Sequence, residues 1–241
     1  MKSPILLLVC AFAWTISGFA QSGSTLNWTI GAIPKAHVDD HSATYHMFDA
    51  EGKKVGSMAT QLIDEEDQIT LIDTSQFDDG SVYEEATFTF SKKPIATTSI
   101  KIKMKTPNAK IDIDVAVSGK HAKGTYLLNE QTHQIDSTYD YDVVRAELYA
   151  FLGMLTYKTG MKKTVKVLAP MSFQVVAAEI SVLEEEMITT PLGKFDTFKL
   201  LLDGKGVIPT NYIYVDKASH QVVKYEVTGQ MQLDIVLMEN R

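Results

Sequence analysis

His37-Val38-Asp39-Asp40-His41 is the one run whose residue types suit a metal. On a strand, His37, Asp39 and His41 share a face and present two imidazoles and a carboxylate, a set that holds divalent transition metals. No second ligand motif follows, and the run lies in a polar lead-in. It therefore reads as a solvated loop, and no metal or other cofactor is expected. The remaining chemistry is sparse. No Gly-x-Ser-x-Gly elbow is present to activate a serine. No glycine loop follows a strand to cradle phosphate. Cys10 is the only cysteine. Asp112 and Asp114 alternate with apolar residues beside a lysine-bearing strand, so they face outward and serve solubility. Glu184-Glu185-Glu186 reads as a solvated face. His121, His133 and His220 fall in or beside turns and read as surface residues. No catalytic residues are assigned, and the chain is read as a non-enzyme.

The residues that could bind are apolar and aromatic. The chain carries Met 10, Tyr 10 and Phe 10. Methionine adapts to ligands of irregular shape. Phe151, Met154, Leu155, Tyr212 and Tyr214 are the expected ligand-binding residues, if a curved sheet closes over an apolar helix and leaves a cavity. The competing reading packs the same side chains into a solid core.

Those side chains need elements to position them. Met1-Lys2, the apolar stretch Ile5 to Ile16, and small residues at Gly18 and Ala20 form a signal peptide over 1–20, with cleavage expected after Ala20. The apolar stretch is shorter than the ~20 residues of a membrane-spanning helix, and no later stretch approaches that length. Val9 before Cys10, and the apolar run beyond it, argue against a lipid-attached cysteine. The mature chain then has no cysteine and must hold together by its core. Without the leader it carries 22 basic and 30 acidic side chains, a net charge of -8. That excess disfavours nucleic acid, whose binding needs a basic face. The expected location is the periplasm or the cell exterior.

Residues 21–41 read as a lead-in, with a glycosylation sequon at Asn27-Trp28-Thr29. Residues 42–241 read as a single β-rich domain, with 129–142 as a polar loop and the place for any seam. The period from residue 42 is two. Tyr45 to Phe48, the charged turn 49–54 and the return Val55 to Ile63 make a hairpin. Phe88 and Phe90 share a face of Val82 to Phe90. In Ile95 to Ser118, Ile100, Ile102 and Met104 alternate with lysines, and Ile111, Ile113, Val115 and Val117 alternate with Lys110, Asp112 and Asp114. A turn at Thr106-Pro107-Asn108-Ala109 sets Lys105 opposite Lys110, Lys103 opposite Asp112 and Lys101 opposite Asp114. Val143 to Tyr157 changes to helical spacing, with Asp142 as N-cap, Gly160 as stop, and Arg145, Glu147 and Lys158 marking a polar side. The remaining strands are Thr164 to Leu168, Ser172 to Leu183, Phe195 to Leu202, Asn211 to Val215, Val222 to Val227 and Met231 to Met238. The fold expected is mainly β: a curved antiparallel sheet, open barrel or sandwich with one apolar helix.

Two phrases near the C-terminus resemble a known family. Thr190-Pro191-Leu192-Gly193-Lys194-Phe195-Asp196-Thr197-Phe198-Lys199 is one. Tyr212 to Lys217, followed by Val222-Val223-Lys224-Tyr225-Glu226, is its companion. Together with the early Tyr45 to Gly56 hairpin, they resemble the domain of unknown function 3108 family of bacterial envelope proteins. Where that family usually has a tryptophan, near the 212–214 strand, this chain has tyrosines. The resemblance implies a curved antiparallel sheet similar in outline to open-barrel carriers that move lipoproteins through the periplasm. It implies no activity and no catalytic residues. Two roles are expected ahead of a third: carriage of an apolar small molecule or lipid, or service as an envelope scaffold with a protein partner, with a hydrolase or metal enzyme of unrecognised site the least favoured.

Overall fold

The computed structural model describes residues 40–206, 208–229 and 232–240. The expected signal peptide, the lead-in to residue 39, the sequon, and His37 and Asp39 lie outside the described residues.

Among the described residues fifteen strands form one sheet. The first eight are β1 His41–Phe48, β2 Lys54–Asp64, β3 Gln68–Phe77, β4 Tyr83–Lys92, β5 Ile95–Lys105, β6 Lys110–Ser118, β7 His121–Leu128 and β8 Gln131–Thr138. A short β9, Val143–Val144, leads into the helix α1 Arg145–Phe151 and a 3-10 turn, Leu152–Met154. Then come β10 Lys162–Ala169, β11 Gln174–Thr190, β12 Gly193–Gly204, β13 Ile208–Asp216, β14 Val222–Thr228 and β15 Leu233–Asn240. The spatial order is β8-β7-β6-β5-β4-β3-β2-β1-β15-β14-β13-β12-β11-β10-β9. Every pair is antiparallel except β9 with β10.

Topology alone forces this sheet to roll. The two end strands, β8 and β9, are joined by only residues 139–142. That connection spans at most ~18 Å. A flat sheet of fifteen strands would separate its ends by ~67 Å. The ends must therefore meet, giving a barrel that the connection fastens. Tyr139 donates its N–H to Lys120 O at 2.9 Å, and Asp142 donates its N–H to Lys166 O at 2.8 Å. Asp140 takes Lys120 at 3.1 Å and Lys166 at 2.5 Å. Phe173 of the β10–β11 turn meets the rings of Tyr126 and Tyr139 at 6.4 and 6.0 Å.

The β5–β6 register is the one the charge pattern demands: Lys105 opposite Lys110, Lys103 opposite Asp112, Lys101 opposite Asp114. Ile100, Ile102, Ile113, Val115 and Val117 are buried. A one-residue slip would turn the lysines inward, which is why the alternation pins the pairing.

Three expectations are corrected. The 129–142 stretch is not a loop throughout. It holds β8, nearly every residue of which is exposed. An edge strand with no buried face has no apolar alternation to show. The strand expected over Ser172 to Leu183 runs on to Thr190, so Glu184 to Glu186 lie within β11, where they pair with Thr197 to Lys199 of β12. The helix is shorter than 143–157. Its N-cap is Val144 in extended conformation, while Asp142 instead accepts the Lys166 backbone N–H at 2.8 Å. The helix gives way to the 3-10 turn after Phe151, because Gly153 packs on the β13–β14 turn. A Cβ at Gly153 would lie 1.9 Å from His220 O. Leu155 and Tyr157 are buried along an extended return, not on a helical stripe. Periodicity cannot separate the two when both paths are buried.

A seven-residue helix is unstable alone. Glu147 anchors this one. It is 4% exposed, and its Oε1 accepts Thr97 N–H at 2.7 Å and Thr97 Oγ1–H at 2.5 Å. Its Oε2 accepts the Val144 N–H at 3.2 Å. Glu147 is thus a buried strut to β5, not part of a solvated face. Burial pushes its carboxyl above the usual range, against the bonds from Thr97 and Val144.

Candidate functional site

The rolled sheet does not fill its interior. A cavity of about 520 Å³ lies between its inner face and α1, within the ~300–1,000 Å³ usual for small-molecule sites. Alternate residues of successive strands line it, as the two-residue period requires. Ala43, Tyr45 and Met47 come from β1, Met58, Thr60 and Leu62 from β2, Leu71, Asp73 and Ser75 from β3, and Glu84, Ala86 and Phe88 from β4. Tyr225, Val227 and Ile235 continue the wall from the other side of β1. Arg145, Tyr149 and Ala150 project from α1, with Met154 from the turn that follows. The exposed His41 and Asn240 lie on its rim. Four methionines, Met47, Met58, Met154 and Met171, give the apolar part an adaptable surface.

One band of the wall is polar. Thr60 pairs with Asp73, and Ser75 with Glu84. Asp73 stands opposite Ala86, so Glu84, two residues before Ala86, is its diagonal neighbour on the same face. Burial pushes the Asp73 carboxyl up to about 7, and the nearby Glu84 adds to this while Arg145 opposes it. Burial also raises Glu84, again against Arg145. Burial pulls on the Arg145 guanidinium, but Tyr149, Glu84 and Asp73 outweigh it and hold the group above its ordinary value. The guanidinium lies 5.3 Å from the Tyr149 ring centre. From there a line of rings crosses the wall: Tyr149 to Tyr225 at 6.0 Å and Tyr225 to Tyr45 at 5.9 Å. Burial raises both Tyr225 and Tyr45 well above the usual phenol range. Tyr45 donates to Val222 O at 3.0 Å, and Asn211 donates its amide to the Tyr149 oxygen at 2.7 Å.

Of the five residues singled out from sequence, Met154 lines the cavity. Phe151 is fully buried beside it, edge-on to Phe90 at 5.2 Å. Leu155 is buried in the core. Tyr212 and Tyr214 alternate with Asn211 and Ile213 and do not line the cavity; on their own face of the sheet Tyr214 is fully buried and Tyr212 half-buried. There Lys199 Nζ sits 5.4 Å from each ring centre. Lys199 is held in turn by Glu184 and Glu186 at 3.5 and 3.2 Å. Curvature toward the helix decides which face of β13 is inner, and the local pattern of β13 does not carry that.

Asp73, Glu84 and Arg145 were missed, although a signal existed. Extending the Phe88/Phe90 face backwards by twos reaches Ala86 and Glu84. Ile69 and Leu71 extend forwards to Asp73. Arg145 is one of only two arginines beside 21 lysines, and a planar, weakly hydrated guanidinium is the cation that tolerates burial. His220, read as a surface residue, is half-buried. Its Nδ1 lies 3.0 Å from Gly153 O, at the cavity wall. Among the described residues no group of three His, Cys, Asp or Glu is placed to hold a metal, and no helix is long and apolar enough to cross a membrane.

No family model matches the chain, and no curated protein is similar to it. Solved structures are. A β-barrel-like protein of domain of unknown function DUF1849 from Brucella abortus superposes with a TM-score of 0.51 at 11% identity, over 85% of this chain and 98% of that one. The hypothetical lipoprotein YmcC from Escherichia coli gives a TM-score of 0.36 at 14% identity, over 87% of this chain and 86% of that one. The first likeness shows the fold: a mainly antiparallel, barrel-like sheet with one short helix.

Proposed function

We propose that this chain is an exported, non-enzymatic protein of the cell envelope that binds or carries an apolar small molecule or lipid in the cavity between the rolled sheet and α1. The observation that carries this reading is the cavity itself. Its volume of about 520 Å³ is lined by Met, Leu, Ile, Val, Ala and aromatic side chains together with a polar band, and burying the apolar part of such a wall against a ligand is favourable in proportion to the apolar area removed from water. The leader-like residues 1–20 support export to the periplasm or the cell exterior. The 190–199 and 212–226 phrases support kinship with the domain of unknown function 3108 envelope proteins. Met154 contacts the ligand in this reading, with Phe151 and Leu155 supporting it from behind, while Tyr212 and Tyr214 act from their own face of the sheet through their strand.

The test is binding of a neutral apolar dye, N-phenyl-1-naphthylamine, followed by its fluorescence. The wild-type protein enhances the emission. Ala86→Trp, or Ala43→Phe where that variant is unstable, fills the cavity and abolishes the enhancement with the thermal transition retained. No enhancement by the wild type, or full enhancement in a folded, cavity-filled variant, overturns the reading.

A second reading rests on a different place. Residues 184–190 of β11 pair only with β12, beyond the reach of β10, and expose Met187 and Leu192 at the tip of this ribbon. A scaffold protein would offer that ribbon to a protein partner. Met187→Glu with Leu192→Glu would then abolish capture of the partner and leave dye binding unchanged.

A further inference from the structure

Two carboxylates and one guanidinium are the full charges on a wall whose other members are apolar or neutral-polar, and their balance restricts what can sit there. Asp73 and Glu84 are the acids of the cavity wall, and Arg145 is its one Lys or Arg. Two other partly buried acids have a lysine beside them: Asp64 with Lys92 at 2.6 Å, Glu226 with Lys224 at 2.7 Å. Asp73 and Glu84 make no ion pair and no hydrogen bond among the described residues, and Arg145 leans on Tyr149 instead of on either of them. The surface these acids retain is turned to the cavity they line. A desolvated carboxylate without a partner is costly, and a ligand that supplies a cation offsets that cost.

We propose that the cavity recognises an amphiphile whose head group bears a protonated amine, with the ammonium seated against Asp73 and Glu84 and the chain laid over the methionine-lined wall. This rests on the ligand-binding reading above and names the head group for it. Tyr45 and Tyr225 line the same cavity near enough to Asp73 to feel its charge, and aromatic faces attract ammonium as the carboxylates do. An anionic head meets an excess of like charge, with Arg145 alone in its favour. In a zwitterionic head the anionic part falls to Arg145, which matches a guanidinium's preference for carboxylate and phosphate.

Dodecylamine, dodecanol and dodecanoate, used below their aggregation limits at pH 8, separate the possibilities by displacement of the neutral dye. The amine is expected to displace the dye at concentrations at least about tenfold below the alcohol, with dodecanoate the weakest. Asp73→Asn combined with Glu84→Gln is nearly isosteric, and it is expected to erase the amine's advantage, so that amine and alcohol displace the dye at about the same concentration as each other. Dodecanoate matching the amine, or an amine preference that survives in the double variant, overturns the head-group assignment while the cavity reading stands. Failure of all three to displace a bound dye overturns both.

Discussion

Asp73 provides a titration that can be followed through stability. Its carboxyl sits at about 7 in the fold against an ordinary 3.8. In the unfolded chain the proton is lost near the ordinary value, and in the folded chain it is kept until about neutral pH. Between those limits the folded state holds more protons, so stability falls as pH rises. Below the window the group contributes nothing, and above it the penalty is complete and constant. At ~1.4 kcal/mol per decade the full window amounts to about 4 kcal/mol. The residue is only half-buried, and solvent screening lowers this, so a change of roughly 2–4 kcal/mol is expected. Asp73→Asn cannot ionise. Urea denaturation of both proteins from pH 4 to pH 8 should show the variant gaining on the wild type by that amount, with the gain concentrated between pH 4 and 7. The constant cost of the substitution cancels in the comparison. Glu84→Gln removes the neighbouring charge that raises Asp73, so the window narrows from its upper end, as expected for coupled sites. Curves for wild type and Asp73→Asn that stay parallel within about 0.5 kcal/mol would refute the reasoning and place Asp73 in a solvated setting.

Three further outcomes follow from the same structure. Glu147→Ala strips the acceptor from buried donors on Thr97 and Val144, and should cost roughly 3–6 kcal/mol in urea unfolding, against a smaller loss for Glu147→Gln. Gly153→Ala drives a methyl against His220 O; a loss of about 1–3 kcal/mol is expected, together with weaker dye binding, as the turn at the cavity wall shifts. Lys103→Glu faces Asp112 on the wet face of β5–β6. It should cost only about 0.2–1 kcal/mol, a loss that salt reduces, because the pair is solvated.

Much of this molecule is determined locally and is therefore legible in the chain. Alternation by two residues, opposite charges across Lys103–Asp112 and Lys101–Asp114, and turn residues at 49–54, 78–80 and 190–193 depend only on neighbours in sequence or across one hairpin. They name the strands, the β5–β6 register and the fold class. The helix boundary is different. Leu152, Leu155 and Tyr157 are buried on an extended path as they would be on a helix, while Gly153 lies so close to the His220 carbonyl that no side chain fits between them. The edge strand β8 is also silent, since an element that buries nothing leaves no apolar pattern. Binding residues are the least local property of all. Met154 reaches the cavity and Tyr214 faces away because the sheet rolls until β8 and β9 meet across four residues. That closure brings Arg145, which marks a polar side of the helix in the sequence, against the hairpin neighbours Asp73 and Glu84 on one wall of the cavity.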